Sequence, residues 1–476
     1  MFFFYDEHDN SISGIALESY IVNVLRDYLA AQKKTISLTN DNSIFDALLP
    51  DGIDDIAGPL HLEIKTSYSN KSGYFRSIQR LAIQACEADP GAILLILGTA
   101  FTDESKQSMV RMTESRAKRK VYVWDIDDFN KITDGYGQNY KEYIESPAKA
   151  IVDEAINNPL SKQEAADVRN ALIAALKKEY QKEELALFVG AGISKDAGIP
   201  QWNELINALL SKMISSRIKD KDSEVLSKHL DTIIELAHHN QENSPITQMR
   251  YIKGAFKPAE YNKLVHEVLY SKKPKADTAL LKSLAALCTP RRNHIGVQGV
   301  ITYNFDDLLE RCLARQKVPT NIVACEEDIS TPDKLSVFHV HGYMPKKFDD
   351  NNPTIELIFS EEDYHKVYRD AYCWSNLAQL NYLREHTCLF IGCSLTDPNL
   401  RRLLDVAKRN NEKPRHFAFL RRNSIAKSED VDQAALEIYK DIDLSLREKY
   451  YATMGLNIIW VDKFEEIPHI LNSLIV

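Results

Sequence analysis

The sequence predicts an α/β protein with two domains, and three observations carry that expectation. The first is an apolar run, residues 185–189, that passes straight into Gly190-Ala191-Gly192-Ile193-Ser194. Apolar residues without polar alternation suit a parallel strand buried on both faces, and the small residues after it let the backbone turn sharply. The second is the alternation of helix-period and strand-like stretches from Gly14 to about residue 145. The third is size: 476 residues, 44% of them hydrophobic, can bury more than one core.

Composition narrows the class. No apolar run reaches the roughly 18 residues a membrane helix needs, and the opening Met1-Phe2-Phe3-Phe4-Tyr5 is followed at once by acids. The expectation is a cytoplasmic chain with no membrane role. A net charge of −9 argues against wholesale coating of nucleic acid. The basic stretch at 111–120 reads as a solvated helix face. Seven cysteines, odd in number and never spaced Cys-x-x-Cys, argue against a disulfide framework and against a zinc ribbon.

In the first segment, Gly14-Ile15-Ala16-Leu17-Glu18 opens an amphipathic helix to about residue 31, with apolar residues 17, 21, 24, 25 and 28 on one face. A strand-like stretch at 44–49 turns through Pro50-Asp51-Gly52-Ile53-Asp54-Asp55 into a second strand at 61–66. Side-chain direction repeats every two residues in a strand, so Glu63 and Lys65 share a face. Asp54, at the turn end of the hairpin, is placed to meet them, with Asp51 and Asp55 as competitors. Two carboxylates can hold Mg²⁺ with water and a phosphate oxygen, and a lysine beside them can orient or deprotonate the attacking water. A helix at 74–88 carrying Gln79, a strand at 92–97, a helix at 104–118 and a strand at 120–126 follow.

The Asp54, Glu63-x-Lys65 arrangement resembles the PD-(D/E)xK nuclease family, and Gly14-x-x-x-Glu18 is similar to the first helix of its Mrr-like restriction branch. The resemblance implies a restriction-endonuclease-like α/β domain over residues 1–145. It further implies an Mg²⁺ site of Asp54 and Glu63 with Lys65 and Glu18, and DNA as a ligand. The alternative is a nuclease-derived domain that binds or assembles without cutting. Residues 146–181 read as a charged helical connector, broken at Asn157-Asn158-Pro159 with a cap at Ser161 and Glu164.

The second domain starts at residue 182. A helix at 202–213 follows the glycine turn, whose backbone N–H groups are expected to face a pyrophosphate. A helical insertion spans about 211–290. Thr302-Tyr303-Asn304-Phe305-Asp306 ends an apolar strand, residues 337–340 lead into His341-Gly342, and residues 389–391 lead into Gly392-Cys393-Ser394-Leu395-Thr396-Asp397. Ligands of open α/β sheets bind at the carboxyl ends of strands, where these polar groups fall.

These motifs stand in the order seen in sirtuins, and residues 182–476 resemble the SIR2-like proteins of prokaryotic antiphage defence more than sirtuin deacylases. The resemblance implies a Rossmann-type domain that takes NAD as substrate. Gly190, Ala191, Gly192, Ile193, Ser194, Gly392, Ser394 and Asp397 would hold the nucleotide, and Asn304, His341 and Asp306 would surround the nicotinamide ribose. Two departures stand out: the four-cysteine zinc module of peptide-binding sirtuins is missing, and Gln201-Trp202 replaces their Asp-Phe-Arg. The resemblance thus implies an oligomeric NAD glycohydrolase effector that releases nicotinamide and ADP-ribose. It would be restrained or triggered by another protein of the same defence system. The competing expectations are a metal-dependent DNA nuclease whose SIR2-like half senses NAD and, disfavoured by the missing cysteines, a protein deacylase.

Overall fold

The computed structural model describes residues 10–38, 45–65, 71–85, 91–135, 152, 156, 162–220, 228–239, 245–347, 355–408, 414–422 and 433–475. The expected chain break at Asn157-Asn158-Pro159 and the Ser161 cap lie outside them. The chain divides into two compact units, one built on residues 1–175 with 408–415 and 422–458, the other on 176–407 with 416–421 and 459–476. No helix among the described residues is long and apolar enough to cross a membrane.

In the first unit, α1 (Asn10–Ala31) precedes β1 (Ser37–Leu38), β2 (Ala47–Leu49) and β3 (Leu60–Lys65). Then come α2 (Lys71–Gln84), β4 (Ala92–Leu97), α3 (Asp103–Ala117), β5 (Val121–Asp125) and α4 (Ile126–Ile132). The strands form one sheet in the order β1-β2-β3-β4-β5, antiparallel from β1 to β3 and parallel from β3 to β5. Alternation decides its two faces. Leu60, Leu62 and Ile64 share a core with Ile21, Leu25 and Leu29 of α1, while Ile93, Leu95 and Leu97 share another with Tyr74 and Ile78 of α2 and Met109 of α3.

In the second unit, α5 (Lys162–Gln181), which begins in the first, leads into β6 (Leu185–Val189). The helices α6 (Trp202–Asp220), α7 (Leu230–His239), α8 (Pro245–Gly254), α9 (Pro258–Leu269) and α10 (Ala279–Cys288) separate β6 from β7 (Val300–Thr302). There follow α11 (Leu308–Arg315), β8 (Thr320–Val323), β9 (Leu335–His339), α12 (Glu361–Arg369), α13 (Trp374–Glu385), β10 (Thr387–Ile391), α14 (Pro398–Ala407) and β11 (His416–Arg421). The helix α15 (Gln433–Thr453) belongs to the first unit, and β12 (Leu456–Val461) and α16 (Glu466–Ile475) close the chain.

The second sheet runs β12-β11-β10-β6-β7-β9-β8, with parallel pairing from β11 through to β8. Counting β6, β7, β9, β10, β11 and β12 as one to six gives the order 3-2-1-4-5-6 of doubly wound dinucleotide folds, with β8 as an added edge. The order reverses between β6 and β10. All five residues of β6 are fully buried, as a strand covered on both faces requires.

At that reversal the turns after β6 and β10 touch backbone to backbone. Gly192 N–H donates to Gly392 O at 2.9 Å, and Gly190 N–H donates to Ile391 O at 3.0 Å. A Cβ on Gly192 would stand 2.6 Å from Gly392 Cα, and Gly392 itself has φ +67°, where a Cβ would lie 2.6 Å from Ile193 N. Glycine is required here by the contact between two turns. Gly192→Ala should therefore destabilise the chain by about 1–3 kcal/mol through overpacking, read as a lower thermal midpoint. Gly254→Ala, where a Cβ meets nothing within 4 Å, should not lower it.

Candidate active site

The carboxyl ends of β6, β7, β9 and β10 bring the expected polar residues of the second unit together. Tyr303 N–H bonds to Val189 O at 3.0 Å, Val340 N–H to Thr302 O at 3.1 Å and Met344 N–H to Phe305 O at 2.7 Å. The loops carrying Asn304, Asp306 and His341 are thus laced to one another. Their side chains are buried, Asn304 and His341 each retaining 7% of their surface.

Ser194 joins Asn304 to Asp306. Its fully buried hydroxyl donates to Asp306 Oδ1 at 3.0 Å and accepts from Asn304 Nδ2 at 3.2 Å. Asp306 Oδ1 also accepts from Leu308 N–H at 3.1 Å, at the start of α11. The remaining amide oxygen of Asn304 is buried without a hydrogen-bond partner among the described residues. A buried acceptor left unpaired costs free energy unless a ligand satisfies it, so this atom is the natural seat for a hydroxyl donor.

His341 stands at the turn after β9. Its carbonyl accepts from Ile358 N–H at 2.9 Å, and Gly342 takes φ +100° because a Cβ there would lie 2.2 Å from Glu356 O. His341 Nε2 is 3.6 Å from Asp397 Oδ2, too far for a hydrogen bond but near enough for charge attraction. Burial dominates over that attraction and holds the imidazole below its ordinary value, so the ring is neutral at neutral pH. The Tyr303 ring meets it edge-on at 5.0 Å and the Tyr364 ring at 5.8 Å. Asp397 Oδ2 accepts from the Tyr364 hydroxyl at 2.6 Å and Oδ1 accepts from Leu400 N–H at 2.7 Å in the first turn of α14. Next to it, buried Leu395 sits at φ +57°, a strained conformation for a bulky side chain.

The structure bonds most amides of the expected glycine cradle internally. Gly190, Gly192, Ile193 and Ser194 all spend their amides inside the protein, on Ile391, Gly392, Gly190 and Ala191 carbonyls. After β6 the chain makes a single 3₁₀ turn over Ala191–Ile193, and the long helix α6 opens only at Trp202. Four of the five amides expected to face a pyrophosphate are therefore unavailable. Ile193 is core, Ser194 is a buried strut, and the exposed Ser394 hydroxyl pairs with Thr396 at 2.6 Å. Gln201 Nε2 donates to Ala191 O at 3.1 Å, tying the position where sirtuins carry their motif back onto the turn.

The first unit also departs from expectation. Asp54 sits at φ +45° on an exposed turn, its Oδ1 accepting from the Tyr28 hydroxyl at 2.6 Å and Gln32 Nε2 at 2.9 Å. Tyr28 belongs to α1 and Gln32 follows directly after its end, and α1 packs on the face carrying Leu62 and Ile64. Glu63 and Lys65, joined in an ion pair, project from the other face. Asp54 is thus not the carboxylate that meets Glu63. Asp46 lies one step before the Ala47–Leu62 pair, across from Glu63 by register, and its Oδ2 accepts from Ile64 N–H at 2.6 Å. The signal for Asp46 was the hairpin register, which motif spacing does not contain. Glu18 is half-buried on α1.

A parallel sheet in dinucleotide-fold order, with Asn304, Asp306 and His341 at its carboxyl edge, defines a doubly wound, Rossmann-like α/β domain. Residues 298–445 match the family model of the SIR2-like domain. The chain is similar to the NAD(+) hydrolase ThsA of Enterococcus faecium, 24% identical over 319 residues that make up 64% of this chain and 58% of that protein. It is 22% identical over 309 residues to the NAD(+) hydrolase ThsA of Acinetobacter baumannii (strain 532279), covering 64% of this chain and 55% of that one. Defense-associated sirtuin 2 of Bacillus subtilis is 24% identical over 299 residues, 60% of this chain and 26% of its own length. The chain spans little more than half of these hydrolases and about a quarter of the sirtuin.

Burial pushes the Asp306 carboxyl up to about 6. The folded state then holds more protons than the unfolded one between the ordinary carboxylate value and 6, so stability falls as pH rises through that window. Asp306→Asn keeps an acceptor oxygen and removes the buried charge. It should raise stability above pH 6 by roughly 1–3 kcal/mol, with the gain vanishing below about pH 4. Thermal unfolding across that pH range checks this, and an equal effect at every pH would contradict it.

Proposed function

We propose that the chain is an NAD glycohydrolase of the SIR2-like class, acting as a defence effector that depletes NAD on infection. The single observation that carries this reading is the orphaned, buried Asn304 amide oxygen beside His341 at the carboxyl edge of a dinucleotide-fold sheet. Relatives named as NAD(+) hydrolases and as a defence-associated sirtuin support it.

The chemistry follows from charge. Breaking the bond between nicotinamide and ribose moves positive charge from the pyridinium ring onto the sugar. Water then forms the new bond to the anomeric carbon and loses a proton, giving ADP-ribose and neutral nicotinamide. Asn304 Oδ1 would accept from a ribose hydroxyl or from the attacking water, fixing its position. A neutral His341 can take a proton, and Asp397 steadies the imidazolium that results. Asp306 holds Asn304 through Ser194 and supplies negative charge as it ionises. Restraint by a partner protein or by oligomerisation belongs to this reading, since an unrestrained NAD hydrolase would harm its own cell.

Asn304→Ala and His341→Ala should each lower kcat for NAD cleavage by at least about 10²-fold with little change in thermal midpoint. Nicotinamide release measured by chromatography checks this, and wild-type turnover in both folded variants would reject the reading.

A second activity is favoured by the first unit's geometry. Asp46, just before β2, stands across from Glu63 of β3 by register, with Lys65 on the same face as Glu63. Among the described residues no group of three or more metal-ligating side chains occurs, so a divalent ion there would rest on two carboxylates. Asp46 and Glu63 would hold Mg²⁺ in this reading, and the ion would polarise a phosphate ester and its attacking water on DNA. Asp46→Asn and Glu63→Gln should each abolish Mn²⁺ binding in calorimetry and any metal-dependent nicking of plasmid DNA. Asp54→Asn should leave both intact. The inverse pattern would return the site to Asp54.

A further inference from the structure

The strand that delivers His341 carries a second histidine with a different environment. His339 is fully buried, with Nδ1 2.9 Å from the Asn304 carbonyl oxygen and Nε2 2.8 Å from Glu310 Oε1 on α11. A carbonyl and a carboxylate both accept, and the ring satisfies both at once as the imidazolium, which donates from both nitrogens. Glu310 is itself buried, and its second oxygen has no hydrogen-bond partner among the described residues. A buried ion pair is a weak source of stability, because desolvation offsets most of its attraction and apolar residues would fill the space as well. What this pair does supply is a fixed, charge-assisted grip on one peptide carbonyl.

We propose that the His339–Glu310 pair is a positioning device for Asn304, setting the backbone from which its side chain reaches the substrate. The proposal rests on the NAD-cleavage reading of Asn304. Ser194 holds the side chain by its amide nitrogen, and His339 holds the same residue by its carbonyl. Two grips on one residue fix where the free amide oxygen points.

The groups facing His339 are Glu310 from α11, Asp306 from the loop after β7, and Tyr343 from the loop after β9, whose ring lies 4.4 Å away. Burial opposes charge on the ring, but the two carboxylates and the Asn304 carbonyl together raise its proton affinity above the ordinary value. Burial also pushes the Tyr343 phenol up, so it stays neutral. As pH rises through the elevated value, the ring keeps the Nε2 proton that faces the Glu310 carboxylate and loses the one on Nδ1, turning a lone pair toward the Asn304 carbonyl. The grip on Asn304 then loosens, and turnover falls on the alkaline side. In Glu310→Gln the carboxamide can donate to Nε2 of a neutral ring whose Nδ1–H still holds Asn304, so the grip becomes independent of pH.

The test measures kcat and KM for NAD against pH in the purified chain, in Glu310→Ala, His339→Phe and Glu310→Gln, beside nitrogen NMR of the histidine and asparagine side chains. Glu310→Ala and His339→Phe should lose about 10–100-fold in kcat, as displaced catalytic groups do, with KM nearly unchanged. Glu310→Gln should recover most of kcat and lose the alkaline limb. A doubly protonated His339 ring at neutral pH, absent in Glu310→Gln, is the expected signature. Wild-type kcat in Glu310→Ala, or a singly protonated ring in the wild type, would overturn the proposal. Should His339→Phe fail to fold, Glu310→Gln decides alone, since an unchanged alkaline limb also overturns it. If the wild type leaves NAD intact, only the activity is rejected. The Asn304 amide resonance, displaced in Glu310→Ala and restored in Glu310→Gln, then still supports positioning, and an unmoved resonance still overturns it.

Discussion

One hydroxyl carries the geometry of the second unit's site. Ser194 Oγ lies between Asn304 Nδ2 and Asp306 Oδ1, in a place with no solvent exposure. In such a place each polar atom must find a partner inside the protein, and each partner constrains the next. Ser194 is placed by its own amide bond to Ala191, within a turn whose glycines press on the turn after β10. Asn304 is then held at its amide nitrogen by Ser194 and at its carbonyl by His339, and His339 by Glu310. The Asn304 amide oxygen is the unsatisfied end of this chain, and satisfaction everywhere else gives it a direction.

The electrostatics follow the same economy. Burial raises Asp306 and lowers His341, so the dry site resists charge in both groups. Yet the proposed reaction develops positive charge and releases a proton, which is the moment at which an ionised Asp306 and a receptive His341 become useful. Asp397 is suited to the second task because it is tied down already, by Tyr364 on one oxygen and by the start of α14 on the other. A carboxylate fixed in this way needs little reorganisation when its neighbour gains a proton. Groups whose proton affinities are shifted by burial cost stability, and their clustering at one sheet edge is what a functional site leads one to expect.

The sequence made legible whatever a few consecutive residues decide. The apolar run of β6, the turn glycines, and the polar residues after β7 and β9 are local signals, and the structure sets them at one carboxyl edge. Whatever depends on register or on a distant partner was not legible. Asp54 looked suitable by spacing, but the bond to Tyr28 and Gln32 takes it toward α1, while hairpin register brings Asp46 across from Glu63. His339 reads as one more strand residue until a helix delivers Glu310 to its far side. The contact between the two turns was not legible either, because a sequence cannot say whether a glycine makes room for a ligand or for another turn.

That last distinction changes where a substrate can lie. In an open α/β sheet the crevice opens where strand order reverses, here between β6 and β10. The contact of Gly190 and Gly192 with Gly392 closes the floor of that crevice, and the bonds across it occupy the amides that could have gripped a phosphate there. On the proposed reading a dinucleotide would therefore rest above the floor, mainly against side chains. Those side chains would be Asn304, held by Ser194, Asp397, held by Tyr364 and the start of α14, and His341, whose ring stands 3.6 Å from Asp397. On that reading selectivity would depend on how rigidly these polar side chains are held. The buried hydroxyl and the buried ion pair beneath them serve that end.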